Sequence, residues 1–320
     1  MNMTDLARLA GVSVSTVSKA FSGSKEVSKQ KREHIFKIAR KNGCFDKYCK
    51  NKYDGMVIAV ICHEYKSGLY SQWLSIMEEK IKEKNGIMIV GSNSFENGRT
   101  EELLRYFADY AKVDGIISLA GLRGKEKVSV PVVVLGESDI YDSVIVSEST
   151  AVSEAIKHFK ENGHKNIAFI GETHTISRRK NFEDAMKRNR LPIKSEYIIE
   201  GDGRFEAAGY RAMNKLLKLE KRPTAVLAAY DNIAIGAAKS VSEHGLKVPD
   251  DISIIGSDDN VDLPYLDVPL TSITAYNNDL CEILVELLFE RMKNPLDKKK
   301  NIKILRELIK RKSVGKAPKI

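Results

Sequence analysis

Near the amino end, apolar residues recur at helical spacing between small polar ones. Thr4 can cap a first helix, with Asp5 in its first turn and Leu6, Leu9 and Ala10 on one face. Gly11 permits a tight turn. Ser13 can cap a second helix carrying Val14, Val17 and Phe21. Ser28 can cap a third, with Ile35, Ile38 and Ala39 inward and Lys29, Lys31, Arg32, Lys37, Arg40 and Lys41 mostly outward. Two short helices joined by a glycine turn and braced by a third make a helix-turn-helix unit.

From Met56 onward the pattern changes. Short β-branched runs alternate with amphipathic helices: MVIAVIC, LSIMEEKIKEKNG, IMIVGS, TEELLRYFADYAKV, DGIISLAG and VPVVVLG come first. The alternation then repeats through HKNIAFIGE, YIIEG, RPTAVLAAYD and DISIIGSDD. Alternating strands and helices imply parallel sheets covered by helices, and ten or more strands imply two sheets. The fold class expected is therefore α/β, a helical head followed by a two-lobed body.

Charge separates the two parts. The chain of 320 residues carries a net charge of +9. Residues 1–55 carry +7, residues 293–320 carry +9, and the middle carries −7. A basic head on an acidic body points to a polyanionic partner for the head. The second helix would enter a major groove by its amino end, presenting Val14, Ser15, Ser18 and Lys19. Ser and Lys can bond base edges, and Val can pack on a thymine methyl.

Cys44, Cys49, Cys62 and Cys281 form no C-x-x-C pair, and no His partners stand at metal spacing. Free thiols in a reducing, cytoplasmic setting are expected, with no metal and no cofactor. No export signal or membrane segment is evident, so no membrane association is expected.

The head resembles that of lactose/galactose-repressor-type regulators, whose pattern A-x-x-A-G-V-S-x-x-T-V-S-[RK] is met by Ala7 to Lys19, with Val27-Ser28 following. The resemblance implies that Val14, Ser15 and Lys19 read bases and that Thr16 and Ser18 touch phosphates or bases. Thr4 and Ser28 complete the expected DNA-binding set. The linker departs from the family pattern, reading Asn42-Gly43-Cys44-Phe45-Asp46-Lys47 and then YCKNKYDG. It holds neither the family's proline nor its leucines. Either the minor-groove wedge of relatives is lost, or Tyr48 or Tyr53 replaces it.

The resemblance extends over HFKENGHKNIAFIGE, RPTAVLAAYDNIAIGA and GLKVPDDISIIGSDD. It implies a body of two Rossmann-like lobes of the periplasmic-binding-protein type. The boundaries expected are a head over 1–47, a linker over 48–55 and a body over 56–320. Lobe one would take about 56–147 and 275–298, and lobe two about 148–274 and 299–320. Arg178, Asp258 and Asp231 match effector-binding positions of the family. Tyr70, Trp73, Tyr230 and Phe205 would supply stacking surface. Gly136 and Leu119 stand where relatives carry polar groups, so few acceptors are expected from the first lobe.

No catalytic constellation rises above background: the chain lacks G-x-x-x-x-G-K-[ST], G-x-S-x-G and H-E-x-x-H. The function expected is not an enzyme's. It is that of a sequence-specific regulator, a repressor, that binds a double-stranded DNA operator as a homodimer. A small-molecule effector, a sugar or sugar derivative, would control it from between the lobes. The alternative is a cytosolic small-molecule-binding protein with a weak or vestigial DNA-binding head.

Overall fold

The computed structural model describes residues 1–22, 24, 26–48, 55–122 and 127–319. Residues 1–57 make one compact unit, and nearly all of the remainder makes a second.

The head holds α1 (Met3–Ala10), α2 (Val14–Phe21), α3 (Lys29–Lys41) and the short α4 (Phe45–Tyr48). Asn2, not Thr4, caps α1. Its Oδ1 accepts from the Asp5 amide at 2.8 Å while Asp5 reaches back to the Asn2 amide, a reciprocal box that an exposed Thr4 inside the first turn cannot form. Ser13 and Ser28 cap α2 and α3 through the amides of Thr16 and Lys31. Gly11 takes the left-handed conformation that ends α1, with φ of 65°. Leu6, Ala7, Ala10, Val17, Phe21, Ile35 and Ala39 form the core, and Leu9 faces out. Phe36 and Phe45 pack their rings 5.0 Å apart, each within 6 Å of Phe21. Tyr48, at the start of the expected linker, joins this cluster and donates its hydroxyl to the Met1 carbonyl at 2.8 Å. The rest of the linker, including Tyr53 and Cys49, lies outside the described residues.

The body runs β1 (Met56–Cys62), α5 (Gly68–Glu83), β2 (Gly86–Ser92), α6 (Arg99–Arg105), β3 (Gly115–Ser118), β4 (Val132–Leu135) and β5 (Asp142–Ser147). Then come α7 (Ser149–Glu161), β6 (Ile167–Gly171), α8 (Ile176–Arg188), β7 (Ile198–Glu200), α9 (Phe205–Leu217), β8 (Ala225–Ala228), α10 (Asp231–Glu243), β9 (Ser253–Ser257) and β10 (Thr271–Thr274). The chain closes with α11 (Asn277–Lys293), β11 (Asn301–Leu305) and β12 (Glu307–Ile309).

Two six-stranded sheets result, ordered β11-β5-β4-β3-β1-β2 and β12-β10-β9-β8-β6-β7. Every strand of β3, β6, β8, β9 and β10 is buried along its length, as expected of strands covered on both faces. β12 runs antiparallel to β10, whereas its neighbours pair in parallel. The chain crosses between sheets after Ser147, after Thr274 and after Leu305. The last crossing corrects the boundary expected at 298. β11 pairs with β5 from Asn301 to Leu305, so the first lobe keeps the chain until Arg306.

Two glycines set how the second lobe's helices meet. A Cβ at Gly209 of α9 would strike the Ile233 carbonyl, and one at Gly236 of α10 would strike the Glu206 carbonyl. These two backbones touch directly, which fixes α9 and the residues before it against α10. Cys44, Cys62 and Cys281 are free and buried. Among the described residues no helix is long and apolar enough to cross a membrane, and no group of three His, Cys, Asp or Glu could hold a metal ion.

Candidate functional site

On the head, α2 exposes Val14, Ser15, Ser18 and Lys19 while Val17, Ala20 and Phe21 are buried. This division follows the helical period and leaves the expected base-reading residues free of the core. Thr16 is half-buried, its hydroxyl 2.8 Å from that of Ser13. Lys19 is not idle: its Nζ lies 2.5 Å from Glu26, both groups largely exposed. Arg32 departs from the outward set, donating to the Ser24 carbonyl at 2.6 Å. Arg40 lies over the Phe45 ring at 4.2 Å.

In the body, polar side chains converge where the strands end. Each sheet reverses its strand order at β1 or at β6, and open α/β sheets leave a ligand crevice at such points, beyond the carboxyl ends of the strands. Glu64 follows β1, Phe95 follows β2, Glu172 follows β6, Arg204 follows β7, Tyr230 follows β8 and Asp258 follows β9. Together with Tyr70, His174, Arg178 and Phe205 they line one cleft of about 110 Å³. Two larger hollows of about 350 and 320 Å³ lie elsewhere, one against Val130, Ile140 and Arg291, the other against Gln72, Tyr276 and Arg311. Neither gathers the strand-end residues of both sheets.

Arg178 and Asp258 meet at 2.8 Å, and Arg178 also donates to the Ala229 carbonyl. Burial opposes the Arg178 charge, but Asp258 and Glu148 outweigh it and hold the guanidinium firmly protonated. The same Asp258 oxygen accepts from Arg306 at 2.9 Å. Arg306 is 5% exposed and reaches Ser257 at 2.7 Å and Glu148 at 3.3 Å. Asp258 itself has φ of 105°, and Phe95 and Phe205 have φ of 61° and 57°. Such conformations cost on the order of 1–3 kcal/mol each and gather where a site demands them. Burial raises the Tyr70 hydroxyl pKa and pushes that of Tyr230 up to about 12, so both remain protonated donors.

Asp231 stands apart. It is fully buried and does not line the cleft. Its oxygens accept from Ser272 at 2.7 Å and from the Asn260 amide at 2.9 Å, holding the turn that carries Asp258. Burial, with the Asp258 charge adding, pushes its pKa up to about 8. A buried role thus replaces the ligand contact expected for it. Trp73 likewise turns inward, donating to Asn277 at 2.8 Å. From the first lobe one carboxylate, that of Glu64 just past β1, lines the cleft.

Glu64, Phe95, Glu172, His174 and Arg204 were not legible from family positions, yet each follows a strand closely. That placement was the available signal. Glu148 and Arg306 also follow strands, β5 and β11, but Arg306 reads as one more charge in a basic tail.

Residues 2–43 match the family described as bacterial regulatory proteins, lacI family, and residues 156–314 match the periplasmic binding protein-like domain. The HTH-type transcriptional repressor PurR of Histophilus somni is 31% identical, over 97% of this chain and 98% of its own. Two solved structures share the fold. One is a lac repressor dimer bound to operator and the anti-inducer ONPF, with TM-score 0.71, 23% identity, and 98% and 99% of the two chains covered. The other is a LacI family regulator from Enterococcus faecium with bound ribose, with TM-score 0.71, 22% identity, and 81% and 98% covered. On the match of its head and on a relative alike from end to end, the chain belongs to the lacI family of bacterial regulatory proteins.

Proposed function

We propose that this chain is a transcriptional repressor that binds an operator as a homodimer through α2 of its head, and that a small carbohydrate-type effector in the cleft controls it. The observation that carries the reading is the union, in one chain, of an exposed Val14-Ser15-Ser18-Lys19 face with a cleft where charged and aromatic side chains from both lobes converge. Thr4, Thr16 and Ser28 flank that face and serve the phosphate backbone. Carboxylates and rings suit a polyhydroxylated ring: Asp258 and Glu172 accept from hydroxyls, Arg178 donates, and Phe205 and Tyr230 cover an apolar ring face.

Control follows from differential affinity. An effector that prefers one lobe arrangement shifts the population toward it, and the spacing of two heads in a dimer follows. The bound operator and bound ribose of the two structural neighbours agree with this reading. A melting-temperature screen of sugars, sugar acids and nucleobases, followed by operator binding with and without each hit, tests it. A hit that raises the melting temperature and changes operator affinity at least fivefold supports the reading. Ligands that bind without changing operator affinity would leave a binding protein, not a regulator.

A further inference from the structure

Arg204 has an environment that a ligand would have. Its Nη1 and Nη2 donate to the two oxygens of Glu64, each at 2.6 Å, and its Nε donates to Glu172 at 3.3 Å. The guanidinium carbon stands over the Phe95 ring at 5.0 Å and over the Phe205 ring at 4.7 Å. Glu64 and Phe95 belong to the first lobe, Glu172 and Phe205 to the second. One planar group is thus held between two rings and two carboxylates drawn from both lobes. Phe95 also stacks on His63 at 4.6 Å and on His174 of the second lobe at 4.0 Å.

We propose that Arg204 is a resident occupant of the cleft: its guanidinium takes the place of an effector, clamps the lobes together in the ligand-free protein, and must swing out for a ring-shaped ligand with in-plane hydrogen-bond donors to enter. The inference rests on the reading of this cleft as an effector site. The space supports it. The cleft keeps about 110 Å³, against the roughly 300–1,000 Å³ usual for small-molecule pockets. Arg204 and the two rings against it all line this narrow space. The chemistry supports it as well. Bidentate guanidinium–carboxylate pairing is strongly directional, and aromatic faces attract the same cation. Once the arginine leaves, Glu64 loses both of its side-chain donors and Glu172 keeps only those from Tyr230 and its own turn, and the rings expose their faces. A polyhydroxylated ring answers both needs. Glu64 and Arg204 therefore select for ligands that outcompete an intramolecular pair, and the effector acts as a displacer.

The test uses methylguanidinium, which copies the displaced group, and so requires neither the effector nor DNA. Calorimetry on full-length Arg204→Ala should show methylguanidinium binding at least tenfold tighter than to the unaltered chain, and Arg204→Ala with Glu64→Gln should lose that gain. Equal binding to the unaltered chain and to Arg204→Ala, with both folded by circular dichroism, would overturn the proposal. Should Arg204→Ala fail to fold, Glu64→Gln alone decides by small-angle scattering. A larger radius of gyration than that of the unaltered chain supports the clamp, and an unchanged radius refutes it. Failure here leaves the regulator reading standing, and failure of operator binding leaves the clamp standing.

Discussion

Arg306 and Glu148 face each other at two of the crossings between the lobes. Their side chains meet at 3.3 Å, and the Arg306 amide donates to the neighbouring Ser147 carbonyl at 3.0 Å. Through Asp258, the same arginine touches the residue that pairs with Arg178 in the cleft. A single buried cation thus ties hinge to cleft.

Removing that cation leaves Asp258 and Glu148 short of their partner in a site with little solvent. Arg306→Met should destabilise the body by roughly 3–5 kcal/mol, the range for breaking a buried pair from one side. Adding Glu148→Gln should return part of that loss, giving a coupling energy of about 0.5–3 kcal/mol. Urea unfolding of the four chains measures it, and additive losses would show that the hinge contact carries no energy.

Asp231 predicts a pH dependence of definite sign. Its folded pKa of about 8 lies above the ordinary carboxyl value, so the folded state holds the proton more tightly than the unfolded one. The stabilisation is complete below about pH 4 and is lost as pH rises through about 8, with a slope of up to about 1.4 kcal/mol per pH unit. Asp231→Asn mimics the protonated form and should flatten this slope, its one oxygen accepting from the Asn260 amide and its amide group donating to the Ser272 hydroxyl. Denaturation midpoints at pH 5, 6, 7 and 8 would reveal it, and identical slopes in both chains would place the titrating group elsewhere.

The close approach of α9 and α10 gives a packing prediction. In Gly236→Ala the new methyl meets the Glu206 carbonyl, so the helices must part. Overpacking of this kind costs about 1–3 kcal/mol, and Gly209→Ala should cost a similar amount for the same reason. Gly245→Ala is the control: a Cβ there meets nothing, although its φ of 72° adds backbone strain. A melting temperature for Gly236→Ala equal to that of the unaltered chain would show that the helices slide apart freely.

Much of this architecture is legible in the sequence because period and polarity agree. The alternation of MVIAVIC-like runs with amphipathic helices gives two sheets that are parallel except for β12, and the A-G-V-S run places α2. Arg178, Asp258, Tyr70, Phe205 and Tyr230 do meet in one cleft. Other features depend on long-range packing. Asp231 looks like any strand-end carboxylate until the turn at Asn260 closes over it. Thr4 loses the cap to Asn2 because Asp5 stands three residues from Asn2 and completes the box. Arg306 falls between two short strands that belong to different sheets, and neighbouring charges give no sign of this.

In the head, Glu26 holds Lys19 in an exposed ion pair at 2.5 Å. Such a pair contributes about 0–1 kcal/mol. Glu26→Gln should free Lys19 and tighten operator binding by up to about fivefold with fold stability unchanged. Fluorescence anisotropy at two salt concentrations measures it, and weaker binding would give Glu26 a positioning role toward DNA.

On the proposed function, α2 reads operator sequence. Selection from a random-sequence DNA pool with the full chain tests it most directly. Enrichment of a two-fold symmetric site is expected, with Lys19→Ala changing the preferred bases by about 1–3 kcal/mol of discrimination and Lys37→Ala only weakening all sites alike. No enriched sequence, or a preference that Lys19→Ala leaves intact, would contradict it.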